Sequence, residues 1–81
     1  DIITYRLDGQ MMYVPLTDDF PKALEYARKA FHKLKEIEDK QISFSLTVVT
    51  GDQRHSVGIT PVAWPNLVRH LARYEIIDIR I

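Results

Sequence analysis

The sequence predicts an α+β domain built on a single mixed sheet, with elements in the order ββαββαβ and the helices packed on one face. Three observations carry this. The dipeptides Asp8-Gly9 and Gly51-Asp52 each separate two segments of alternating hydrophobicity, the pattern of two-residue hairpins. Between these hairpins lies an amphipathic helical segment with capping residues at its start. The chain then closes on another alternating run, from Glu75 to Ile81.

Each element follows from its residues. Across Asp8-Gly9, which suits a type I′ turn, Leu7 pairs with Gln10, Tyr5 with Met12 and Ile3 with Val14. Ile3, Tyr5, Leu7, Met12 and Val14 then share the core face, while Thr4, Arg6, Met11 and Tyr13 face outward. Thr17, Asp18 and Asp19 offer capping oxygens, and Pro21 falls in a first helical turn where it is tolerated. Phe20, Leu24, Ala27, Phe31 and Leu34 recur at steps of four and three, one apolar stripe of a helix expected to run to about Glu38. Gln41 to Thr50 alternates again, and a II′ turn at Gly51-Asp52 sets Val48 opposite His55, Leu46 opposite Val57 and Phe44 opposite Ile59, all on the core face.

Residues 60–73 read as a short helix. Thr60 is its expected N-cap, and Pro65 places the regular turns from nearer Asn66. Trp64 lines up with Leu67, Val68, Leu71 and Tyr74 as a core stripe, so the tryptophan between two prolines is expected to be a buried anchor. In the last strand Ile77, Ile79 and Ile81 face the core, and Ile76, Asp78 and Arg80 face out.

Two sheet arrangements fit this order. In a β-grasp-like sheet the last strand inserts beside the first and the long helix crosses the concave face. In the alternative, a ferredoxin-like βαββαβ unit, the first strand is an N-terminal addition. The tight first hairpin favours the β-grasp-like sheet.

Bulk composition excludes several function classes. The 81 residues make one domain, residues 1–81, with 46% hydrophobic and 27% charged residues. Eleven basic and eleven acidic side chains cancel, whereas a dedicated nucleic-acid binder usually carries a basic excess. The absence of cysteine removes disulfides, thiolate catalysis and Cys-ligated zinc, and leaves the cytoplasm as the default compartment. No apolar run approaches the length needed to span a bilayer, and no signal peptide is visible, so a soluble protein is expected. A start at Asp1 and a stop on Ile81 without a polar tail suit a processed chain or one domain of a longer one.

Catalytic constellations are not visible. His32, His55 and His70 lack metal-ligand spacing, and no GxSxG motif or phosphate-cradling glycine loop occurs. Ser56 follows His55, but neighbouring strand residues point to opposite faces. The carboxylates are accounted for as caps or as a solvated helix end. No enzyme, no metal and no small-molecule cofactor is expected.

Surfaces for binding are visible. Arg6, Met11, Tyr13, Arg54 and Arg80 gather on the exposed sheet face. Asn66, Arg69, His70 and Arg73 fall at i, i+3, i+4 and i+7, hence on one stripe of the short helix. The strand from Gln10 to Val14 is an edge in the β-grasp-like sheet, open to homodimerisation or to a docked partner. The expectation is a small protein-interaction or regulatory domain that binds another protein or itself. The alternative is a nucleic-acid-binding domain using Arg69, His70 and Arg73 with the sheet-face residues Arg6, Tyr13, Arg54 and Arg80.

Overall fold

The computed structural model describes residues 1–81 and contains β1 (Ile2–Leu7), β2 (Gln10–Pro15), α1 (Phe20–Ala30), β3 (Ser43–Thr50), β4 (Gln53–Ile59), α2 (Trp64–Val68) and β5 (Ile76–Arg80). Short 3₁₀ turns at His32–Leu34 and Asp39–Gln41 lie between α1 and β3. The five strands form one sheet in the order β2-β1-β5-β3-β4. β5 runs parallel to β1 and antiparallel to β3, so the last strand fills the centre between two hairpins. This is the β-grasp-like arrangement, and it leaves β2 and β4 as the two edges.

The hairpins have the expected registers. Leu7 pairs with Gln10 across Asp8 and Gly9, both at positive φ (52° and 80°), as a type I′ turn requires. Thr50 pairs with Gln53 across Gly51, whose φ of 62° at the first turn position suits a II′ turn. The core face carries Ile3, Tyr5, Leu7, Val14, Phe44, Ile59, Ile77 and Ile79, all buried.

Asp19 caps α1, its Oδ1 accepting the Lys22 N–H at 3.3 Å, and Pro21 sits in the first turn. The helix stops at Ala30 rather than near Glu38. Phe31 is extended (φ −126°, ψ 109°), and the chain resumes as a 3₁₀ turn. This break buries both Phe31 and Leu34 while turning the chain toward β3, so packing overrides the helical pattern. Arg28 fastens the segment that follows: its Nη2 donates to the Ile37 carbonyl at 2.6 Å and pairs with Asp39 at 2.5 Å.

α2 starts at Trp64, two residues earlier than Asn66, with Pro65 in its first turn where no N–H is needed. Thr60 caps the approach, its Oγ1 accepting the Ala63 N–H at 3.1 Å. Trp64 has 0% exposure, and its indole N–H donates to the Thr17 carbonyl at 3.0 Å. Its ring lies 4.9 Å from Phe44 and 5.8 Å from Phe20, centroid to centroid, at the middle of an aromatic cluster that Tyr5 joins through Phe44.

The distal half of the second hairpin departs from expectation. Val48 and Val57 lie on the core side, yet they are 41% and 49% exposed. α1 is eleven residues long and α2 five, too short a helical layer to cover the hairpin out to its turn.

Candidate functional site

The outer face of the sheet is built in rows set by the register. One row runs Tyr13, Thr4, Ile76; the next runs Met11, Arg6, Asp78, Ser45, Gly58. Met11 and Tyr13 are 54% and 70% exposed on the edge strand β2. Beside them stands Tyr74, which the sequence pattern had placed on the core stripe. Its φ of 66° turns the chain and aims its ring outward, with its centroid 5.5 Å from that of Tyr13.

That backbone conformation is disfavoured for a bulky residue and is held by its neighbours. The Tyr74 N–H donates to the Ile2 carbonyl at 2.9 Å, and the Thr4 hydroxyl donates to the Tyr74 carbonyl at 2.9 Å. Glu75 closes the turn, its carboxylate accepting the Ala72 N–H at 2.8 Å. Tyr74 is therefore fixed to β1. Together Thr4, Met11, Tyr13, Tyr74 and Ile76 line a shallow, largely apolar groove of about 410 Å³.

The groove borders free backbone. A two-residue hairpin makes Leu7 and Gln10 a hydrogen-bonded pair, and the pairs then alternate along the ladder. Gln10, Met12 and Val14 thus turn their backbone groups to β1. Met11 and Tyr13 turn theirs to the open edge.

The charged members of the outer face are largely engaged. Arg6 grips Asp78 through two nitrogens, Nε at 2.5 Å and Nη2 at 3.0 Å, and those hydrogen bonds push its pKa up. Thr47 adds a longer hydrogen bond to the same carboxylate at 3.5 Å. Arg80 donates to the Ser56 hydroxyl at 3.3 Å. Arg54 is exposed on β4, four strand spacings and hence roughly 19 Å from Met11 and Tyr13 on β2.

The sequence stripe of Arg69, His70 and Arg73 does not form on a helix. α2 ends at Val68, so Arg69 and His70 lie on the turn leaving it, while Arg73 belongs to the separate turn that positions Tyr74. The physical reason is the docking of residues 74–75 onto β1, which draws the chain out of helical geometry before a second turn is complete. All three are exposed, and Arg73 approaches Asp1 at 3.8 Å.

The structure thus joins Met11 and Tyr13 to each other and sets Arg6 beside Met11, leaving Arg54 apart. Sequence reasoning missed Tyr74 and treated Ile76 only as an outward strand residue. The Arg73-Tyr74-Glu75 stretch carries no Gly or Asn to announce a positive φ, so no local signal identified the turn.

Elsewhere, a wider depression on α1 is lined by Pro21, Glu25, Arg28, Lys29, Ala30, His32 and Lys35. It is polar, with Arg28 and Lys29 already paired to Asp39 and Glu25. No group of three or more His, Asp or Glu side chains is arranged to hold a metal ion. No helix is long and apolar enough to cross a membrane. Comparison of the chain with family models, with curated proteins and with solved structures found no match in any of the three.

Proposed function

We propose that this domain is a non-enzymatic protein-interaction module, a regulatory or adaptor part of a larger assembly. It captures an extended segment of another protein along β2. The segment pairs with the open backbone of Met11 and Tyr13 and lays alternate side chains in the groove beneath Tyr74. The observation that carries this is Tyr74, a tyrosine at φ 66° and 52% exposed, held against Tyr13 by hydrogen bonds from β1. Tyrosine and methionine suit the task, since Tyr gives a large amphipathic contact with few rotors and Met adapts to varied shapes. The preferred segment is uncharged and aliphatic at alternate positions, because Arg6 is already neutralised by Asp78.

The test is selection from a displayed library of random decapeptides. Enriched sequences should alternate apolar residues, and their binding should shift the amide resonances of Met11 and Tyr13. A Met11→Ser plus Tyr13→Ala double variant should bind at least tenfold more weakly while melting within a few degrees of the parent. Binders that perturb only α1, or that bind the double variant equally well, would rule the proposal out.

A further inference from the structure

The opposite edge of the sheet carries a different signal. β4 runs Gln53-Arg54-His55-Ser56-Val57-Gly58-Ile59, and every residue but Ile59 is exposed. Proteins blunt such edges with charged side chains, proline or a bulge. β4 contains no Pro or Lys and a single formal charge, Arg54, and it pairs with β3 without interruption from Phe44↔Ile59 to Thr50↔Gln53. β2, by contrast, is closed at its end by Pro15.

Thr50↔Gln53 flanks a two-residue turn and is a hydrogen-bonded pair, so Gln53, His55, Val57 and Ile59 turn their backbone groups to β3. Arg54, Ser56 and Gly58 turn theirs to the open edge. Ser56 is the midpoint of the strand. An antiparallel partner strand of the same sequence, centred there, overlaps β4 along its whole length. It sets Arg54 opposite Gly58, His55 opposite Val57 and Ser56 opposite its own copy.

This register sets no like charges directly opposite each other and leaves space at the edge. Arg54 is the one formally charged residue of the strand, and it meets a glycine rather than another arginine. A Cβ at Gly58 would have no neighbour within 4 Å, which leaves room for the incoming Arg54 side chain. On the helix side, the half-exposed Val57 would meet His55 of the second copy, whose row continues into that copy's half-exposed Val48.

We propose that two copies of this chain pair antiparallel along β4 about a two-fold axis at Ser56, joining their sheets into one. About six backbone hydrogen bonds form, two at each of the three paired positions. A single seven-residue ladder buries less than the ~1,000 Å² typical of a stable interface, so the dimer is weak and concentration-dependent. The surface is separate from the β2 groove, and the proposal does not rest on the function assigned to that groove.

The test is sedimentation equilibrium of the pure protein up to about 1 mM, with amide hydrogen exchange measured at both ends of that range. A monomer–dimer equilibrium is expected, with the Arg54, Ser56 and Gly58 amides gaining protection as concentration rises. Ser56→Lys places two cations face to face at the axis and should weaken association at least tenfold. Ser56→Pro removes an N–H that β3 does not use, and should abolish association while the cooperative melt is retained. The Met11→Ser plus Tyr13→Ala variant should dimerise as the parent does. Arg80 already reaches Ser56, so the pairing draws two guanidiniums toward the axis, and association should tighten as salt screens them. A monomer at 1 mM, undiminished dimerisation of both Ser56 variants, or loss of the dimer in the β2 variant would overturn the proposal.

Discussion

Trp64 and Tyr74 exchange the roles that their composition alone would assign. Trp64 is bracketed by prolines and followed by basic residues, yet it is fully buried and satisfied through its indole N–H. Trp64→Ala is therefore expected to cost about 3–5 kcal/mol in urea unfolding, the range for deleting a core aromatic. Tyr74 lies at the end of a helical-looking stripe, but its backbone is left-handed and its ring sits in solvent. A left-handed non-glycine residue costs roughly 1–2 kcal/mol. Tyr74→Gly should relieve that strain and unfold at a urea midpoint no lower than that of Tyr74→Ala, while both lose the groove; a markedly lower midpoint for the glycine variant would show that φ is not strained. Tyr5 adds a pH dependence. Burial, with Tyr26 beside it, pushes its hydroxyl pKa well above the ordinary value of about 10. The folded state thus keeps the proton where the unfolded chain releases it. The stabilising contribution is complete below pH ~10, the unfolded value, and is lost progressively as pH rises from there through the raised folded-state pKa. Tyr5→Phe should flatten the alkaline decline in melting temperature, and an unchanged decline would count against this assignment.

At the scale of elements, the hairpins were legible because turn chemistry and hydrophobic pattern agree on one register. Asp8-Gly9 and Gly51-Asp52 supply the required positive φ, and each places Tyr5 or Phe44 on the core face without adjustment. Gly51→Ala should accordingly destabilise the protein by about 1 kcal/mol by denaturant titration, because alanine tolerates that φ poorly. The helices were less legible. The apolar stripe of α1 continues through Phe31 and Leu34, and both are buried, but by an extended residue and a 3₁₀ turn rather than a longer helix. Periodicity reports which residues face inward. It does not report how a short connection bends to put them there. The same limit explains the candidate site. Met11 and Tyr13 follow from strand alternation, whereas Tyr74 depends on Ile2 and Thr4, some seventy residues away in the chain, and no local pattern encodes that.

At the scale of the whole molecule, β5 is the strand that makes one sheet out of two hairpins. It contacts β1 through Thr4↔Ile76 to Arg6↔Asp78 and β3 through Ser43↔Arg80 to Ser45↔Asp78. Its inward residues Ile77 and Ile79 are 0% and 4% exposed, so it is central to the core as well as to the sheet. Isolated two-stranded hairpins are marginal in water, and without β5 neither hairpin has a second neighbour. The pairing of the first and last strands is also the most non-local contact the chain can make, so folding must wait for the C-terminal residues. A chain ending at Glu75 should therefore show no cooperative thermal melt and a collapsed amide spectrum. A synthetic peptide spanning residues 76–81, added in excess, should restore part of the dispersed spectrum by coupling its binding to folding, since it returns the central strand with Ile77 and Ile79 for the core and Asp78 for Arg6. A truncated chain that melts cooperatively within a few degrees of the full one would show instead that the hairpins and α1 form a self-sufficient core, with β5 only an addition to it.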